Sequence, residues 1–170
     1  RMPEQEVLLR VEHLCQYFKT NKAVDDVSFD IKKGEVFGLV GESGCGKTTL
    51  TRVLNGLCPQ FYPGELTGSY LLDGQDALKM PVHQLGTMVG SVFQDPRSQF
   101  FSNEVAGEIA FGCENLGLPR GEIVARVSKA ARALGIADLL DRGIEELSGG
   151  QKQAVAIASA FAMEPAVFVL

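Results

Sequence analysis

A chain of 170 residues with 45% apolar content is long enough to bury a sizeable core, and its composition excludes a disordered polymer. Sixteen basic residues against twenty-one acidic ones leave a net charge of -5, which argues against a nucleic-acid surface spread over the molecule. No segment has the basic start and apolar run of a secretory signal, and none has the apolar length of a membrane span, so the chain reads as soluble. Cys15, Cys45, Cys58 and Cys113 stand alone, with no CxxC and only His13 and His83 beside them. That pattern predicts reduced cytoplasmic thiols rather than a zinc site or a disulfide framework.

In chain order, Val7 to Val11 alternates weakly, and Val24, Val27, Phe29 and Ile31 follow an interrupted two-residue period. Both read as half-exposed antiparallel strands. Lys33-Gly34 makes a turn, and the short apolar run EVFGLV, Glu35 to Val40, reads as a buried central strand. It leads straight into a glycine loop, after which Lys47 to Leu57 reads as a helix closed near Gly56 and Pro59. Phe61 to Gly68 reads as a loop, Gly68 to Leu72 as a strand ended by the turn pair Asp73-Gly74, and Met88 to Phe93 as a further buried strand. Beyond Gln94 the texture changes: DPRSQFFSN has no period, Val105 to Leu116 looks helical, and Ile123, Val127, Ala130, Ala131 and Leu134 recur at helical spacing. A helical subdomain inserted between two halves of an α/β core explains the shift, with an unbroken α/β layer as the alternative. A last helix starts at Gly149 or Gly150, with Val155, Ile157, Ala158 and Phe161 as its apolar face, and Glu164-Pro165 stops it. Ala166 to Leu170 then reads as a buried strand aligned parallel to Val36 to Val40.

The loop GESGCGKTT, Gly41 to Thr49, satisfies G-x-x-x-x-G-K-[ST]. Gly41, Gly44 and Gly46 let the backbone wrap phosphate groups, and the amides of Glu42, Ser43, Cys45 and Thr49 belong to the same cradle. Lys47 places a cation at the β and γ phosphates, while Thr48 offers its hydroxyl to magnesium. The motif identifies a nucleotide ligand and leaves the job open among GTPases, nucleotide kinases, helicases and other ATPases.

A second glycine loop, LSGGQKQ from Leu147 to Gln153, precedes the last helix. Ser148 can donate a hydroxyl to a γ phosphate, and Gly149 and Gly150 expose amides beside Gln151 at a helix start. By itself the same stretch also reads as a plain helix cap. Together with the first loop, LSGGQKQ resembles the signature motif of ATP-binding cassette (ABC) ATPases. The resemblance implies two nucleotide-binding domains paired head to tail, so that ATP and Mg2+ on one P-loop are covered by Ser148 of the opposing domain. It implies an α/β fold: a P-loop NTPase core of the ABC type with an antiparallel β subdomain and an inserted helical subdomain. The expected organisation is 1–95 for the amino-terminal part of the core, 96–150 for the helical signature subdomain and 151–170 for the return into the core.

Further residues match the family. Gln94 resembles its glutamine loop, whose side chain reaches magnesium and the attacking water, so Lys47, Gln94 and the opposing Ser148 are the expected catalytic contacts, with Thr48 and Gln94 at the metal. Tyr17 resembles the aromatic residue that stacks on adenine, although a one-residue shift would put Phe18 there, and Val24 fits as an apolar contact near the base or ribose. The segments GLCPQFYPGELTGSYLLDGQD and QDPRSQFFSNEVAGEIAFGCENLGLP are similar to the ATPases of energy-coupling-factor importers of vitamins and transition-metal ions. That branch implies a peripheral position on the cytoplasmic face of the membrane, a second ATPase domain, a membrane T component and a substrate-binding S component. Phe100, Phe101 and Phe111 are candidate groove residues for the T component, and no nucleic-acid partner is expected. A soluble cassette of DNA repair or iron–sulfur assembly and a non-hydrolysing regulatory cassette are the competing readings. Since AVFVL stops before the Asp and Glu that follow this strand in the family, this exact chain is expected to bind ATP without competent hydrolysis, and its complete parent to hydrolyse it.

Overall fold

The structure, a computed structural model, describes residues 6–92 and 100–169. It divides into two compact units, 1–86 and 87–170. The first holds an antiparallel sheet in the order β2-β1-β3-β4, built from β1 (Val7–Phe18), β2 (Asn21–Lys32), β3 (Glu65–Leu72) and β4 (Gln75–Asp76). Helix α1 (Lys47–Leu54) and helix α2 (Val82–Met88) follow the chain order around it. Leu9, Val11 and Leu14 of β1 are buried with Tyr70 and Leu72 of β3, Leu50 and Val53 of α1, and Leu85 of α2. The Tyr70 hydroxyl donates to the Leu54 carbonyl at 3.2 Å, so the buried phenol also closes the last turn of α1.

The interrupted period in the sequence is a bulge. On β1 the buried positions switch from Leu9 and Val11 to Leu14 and Gln16, and the switch occurs at His13, whose φ is +49°. On β2 the skipped residue is Asp26, at φ +52°, and its carboxylate lies 2.7 Å from His13 Nδ1. On β3 the matching residue is Gly68, where a Cβ would stand 2.3 Å from the His13 carbonyl oxygen. Gly68 is therefore part of the strand and not its start. The loop expected over Phe61 to Gly68 ends earlier, because Glu65, Leu66 and Thr67 already pair with Tyr17, Gln16 and Cys15. Gln16 itself is fully buried, and neither atom of its side-chain amide has a hydrogen-bond partner among the described residues.

The second unit packs α3 (Val105–Asn115), α4 (Arg120–Ala133) and α5 (Gly149–Ala162) around Ile109, Cys113, Val127, Ala130, Ala131, Val155 and Ala158. These are the helices and much of the apolar face that the helical spacing predicted. Arg126 of α4 donates to the carbonyls of Ala162 and Met163 at 3.3 Å, and Lys129 pairs with Glu164, so two cations complete the carboxyl end of α5. Strands β5 (Val89–Ser91) and β6 (Val167–Val169) pair in parallel, Gly90 opposite Phe168. Gly90 is required there, since a Cβ would come within 2.7 Å of the Pro165 ring.

One expectation fails. Glu35 to Val40 is not a strand: Val36 and Val40 are 97% and 93% exposed, and no ladder among the described residues includes the run. Apolar composition predicts burial only where a neighbour supplies the hydrogen bonds, and β6 takes β5 as its parallel partner, not Val36 to Val40. Phe37 instead stacks on Phe29 of β2, with ring centroids 5.0 Å apart. The architecture is otherwise the one the sequence predicted, a mixed α/β core with an antiparallel sheet and a helical subdomain.

A phosphate-binding loop and a signature loop

The first glycine loop turns through two residues in the left-handed region, Gly44 at φ +83° and Gly46 at φ +92°. Gly46 is the tighter of the two. A Cβ there would stand 1.9 Å from the Ala23 carbonyl oxygen, so the loop rests directly on β2. Val24, 5% exposed, lies beneath the same glycine, and this places it under the loop. Helix α1 begins at Lys47 with Gly46 as its N-cap, with no side-chain cap and no acidic residue in the first turn. Its leading amides therefore keep their field without a competing anion from the chain.

The Lys47 ammonium folds over the loop, donating to the carbonyls of Gly41 at 2.6 Å and Glu42 at 2.7 Å, with the Cys45 sulfur at 3.3 Å. The two oxygen partners are backbone carbonyls. An ammonium held by carbonyl dipoles can exchange them for an anion without breaking an ion pair. Glu42, Ser43 and Thr48 are exposed, and Thr49 is half-buried at the first turn. The arrangement suits a diphosphate or triphosphate, with Thr48 free to reach a divalent ion.

On the far end of β1, Tyr17 and Phe18 point to opposite faces. Phe18 packs against Gly64, where a Cβ would be 2.9 Å from its ring. Tyr17 donates its phenol proton to Asp25 Oδ1 at 2.5 Å, and the Lys22 ammonium stands 5.3 Å from its ring centroid. The hydrogen bond to Asp25, above all, raises the Tyr17 pKa from its ordinary value, and the same bond lowers that of Asp25.

In the second unit, Ser148 caps α5 in a reciprocal box. Its hydroxyl accepts from the Gln151 amide at 3.3 Å, and Gln151 Oε1 accepts from the Ser148 amide at 2.9 Å. Gly149 and Gly150 are exposed at the helix start, and nothing lies within 4 Å of where a Cβ would stand on either. Neither has a positive φ. The fold of this chain gives no reason for glycine at two helical positions where alanine is the better residue. Gln94 lies outside the described residues.

Sequence reasoning missed one buried charge. Glu108, 4% exposed, accepts from the amides of Phe101 at 2.8 Å and Ser102 at 2.9 Å, pinning the segment that carries them to α3. Its signal was available: Val105, Glu108 and Ile109 share a helix face, and a carboxylate on an apolar face needs internal donors. The anchored segment carries Phe101, 75% exposed and stacked on Phe111 with centroids 4.7 Å apart. These rings, with Phe100, Gly112 and Met163, line a cleft of about 250 Å³.

The family model described as ABC transporter matches residues 24–170. The chain belongs to the ABC transporter family. Among ABC proteins, a Treponema denticola protein described as an ABC transporter ATP-binding protein is 48% identical over 145 residues, covering 85% of this chain and 30% of its own length. The energy-coupling factor transporter ATP-binding protein EcfA1 of Streptococcus thermophilus is 41% identical over 152 residues, covering 89% of this chain and 53% of its own. The solved structure of cbiO1 from Clostridium perfringens, described as part of the ABC transporter complex cbiONQ, superposes with a TM-score of 0.84 at 35% identity, over 97% of this chain and 65% of that one. The chain thus spans about a third to two thirds of the ABC proteins it resembles.

Proposed function

We infer that this chain is the nucleotide-binding part of an ABC ATPase that powers an energy-coupling-factor importer for a vitamin or a metal ion. The observation that carries the nucleotide-binding part of this reading is the P-loop: two left-handed glycines, an uncapped helix start and a lysine held by backbone carbonyls. Gly41 to Thr49 would hold the phosphates of ATP, Lys47 would neutralise charge at the β and γ groups, and Thr48 with Gln94 would hold Mg2+. Bound Mg2+ supplies charge neutralisation on the transferring phosphoryl group. Tyr17 supplies the adenine platform. The ATPase stands on the cytoplasmic face of the membrane with a second ABC ATPase domain, a T component and an S component. The similarity to EcfA1 and to cbiO1 of the cbiONQ complex supports this branch.

Ser148, Gly149, Gly150 and Gln151 would cover the nucleotide of the second domain, and the empty space around both glycines supports that role. Gly149→Ala and Gly150→Ala are each expected to stabilise the chain by about 0.5 kcal/mol in chemical denaturation, because alanine lowers the entropy of the unfolded state. The same changes are expected to reduce ATP-dependent pairing of the parent, read by size-exclusion chromatography. If both variants lose stability, or pair as well as the wild type, the glycines serve the fold.

The cleft beside Phe101 and Phe111 is the surface for the T component. Phe101→Ala in the parent is expected to weaken its retention of a coexpressed T component by about tenfold in a pull-down, the scale of an aromatic anchor. Unchanged retention would remove this face from the docking surface.

A further inference from the structure

Four consecutive residues of β2 touch both the P-loop and the Tyr17 ring. The Ala23 carbonyl abuts Gly46, and Val24 packs beneath it. On the outer face of the same stretch, Lys22 stands 5.3 Å from the Tyr17 ring centroid, and Asp25 accepts the phenol proton at 2.5 Å. Lys22 also donates to Asp25 Oδ2 at 3.4 Å, closing a triangle of ring, carboxylate and ammonium. The register pairs Tyr17 with Lys22 and Gln16 with Val24, so the ring is joined to the P-loop through the shortest part of the hairpin.

We propose that Asp25 is a positioning residue for the nucleotide base: its carboxylate anchors the far end of the Tyr17 side chain, and Lys22 against the ring sets the face offered to the base, at a set distance from the phosphate loop. This rests on the reading of Tyr17 as the adenine platform. A tyrosine has two side-chain torsions, and the half-burial of Tyr17 at the strand end leaves part of its ring open to solvent. A ring that must be ordered when the base arrives costs affinity, and a hydrogen bond that orders it beforehand removes that cost. Asp25 supplies its bond at the para oxygen, which lies on the ring's own rotation axis, so it holds the first torsion, while the Lys22 ammonium over the ring restricts the second. The Lys22 cation occupies one face, which leaves the other as the stacking surface. The phenol is protonated at neutral pH even at its ordinary pKa, and the bond to Asp25 raises that pKa further, so it remains a donor. Two links of the same strand therefore set two ends of the ligand: Ala23 for phosphate and Asp25 for base.

The test titrates the chain with mant-ATP, with inorganic tripolyphosphate as a competitor that lacks a base. Tyr17→Ala is expected to raise the Kd for mant-ATP by about tenfold or more, the scale of one base stacked on one aromatic ring. Asp25→Ala and Tyr17→Phe are each expected to raise it about three- to tenfold, the range of a single solvent-accessible hydrogen bond. The double variant should be no weaker than either single one, because both remove the same bond. Asp25→Asn, whose amide oxygen still accepts from the phenol, should remain within about twofold of the wild type. Tripolyphosphate should compete equally in every variant, which also reports an intact P-loop. A wild-type Kd for Asp25→Ala, additive losses in the double variant, or an equal loss of tripolyphosphate binding would each overturn the tether. An unchanged Kd for Tyr17→Ala would instead remove Tyr17 as the platform, and the tether would fall with it.

Discussion

Replacing Lys47 with alanine is expected to raise the Kd for ATP by about 100-fold while leaving the melting temperature within about 2 °C. The two halves of that expectation have separate causes. Lys47 is the first residue of α1, and its ammonium bonds only to carbonyls of its own loop and a neighbouring sulfur, none of them buried core groups. Removing it leaves two backbone carbonyls to solvent, where water replaces the lost donor at little cost. Against a polyphosphate the balance differs. The ammonium is a cation at the loop, and it would meet anionic oxygens through charge-assisted bonds. Thermal denaturation and calorimetric titration of the same variant separate the two effects. A large fall in melting temperature would show that Lys47 holds the loop's shape, and the affinity loss would then be indirect.

Gly46→Ala is expected to act the other way, through the fold. Residue 46 sits at φ +92°, a conformation that costs an alanine about 1–2 kcal/mol. Its Cβ would also stand 1.9 Å from the Ala23 carbonyl oxygen, so backbone must move, which adds about 1–3 kcal/mol of overpacking. The sum of roughly 2–5 kcal/mol is a large part of the stability of a small domain. Because Ala23 belongs to the stretch that also contacts Tyr17, the displacement should reach the base site as well as the phosphate loop. Chemical denaturation should show the stability loss, and mant-ATP titration should show binding lost with it. A variant with wild-type stability would mean that the loop does not rest on β2 at this glycine.

Much of this site was legible as spacing. The motif G-x-x-x-x-G-K-[ST] located the phosphate loop, and the helical recurrence of Val127, Ala130 and Ala131 located α4. The gap between Val24 and Val27 was legible only as an interrupted period; the structure places a bulge there, since one extra residue shifts a two-residue period. Gly68 misled for a related reason: a glycine that makes room for the His13 carbonyl inside a sheet has the same letter as one that ends a strand. Glu35 to Val40 misled because apolar composition is local, whereas a strand depends on a partner supplied from elsewhere in the sequence. The Tyr17–Asp25 bond could not be read in advance. Asp25 and Asp26 look alike in sequence, and only the hairpin register gives one to a tyrosine and the other to a histidine.

Gly41 to Thr49 is expected to grip the β phosphate of a nucleotide. Displacement of mant-ATP from the chain by ATP, ADP and AMP in the presence of Mg2+ tests it most directly. The account predicts that ATP and ADP displace the probe at similar concentrations and that AMP requires at least about 100-fold more, because AMP offers the loop no second phosphate. Equal displacement by all three, or no saturable binding of the probe, would contradict it.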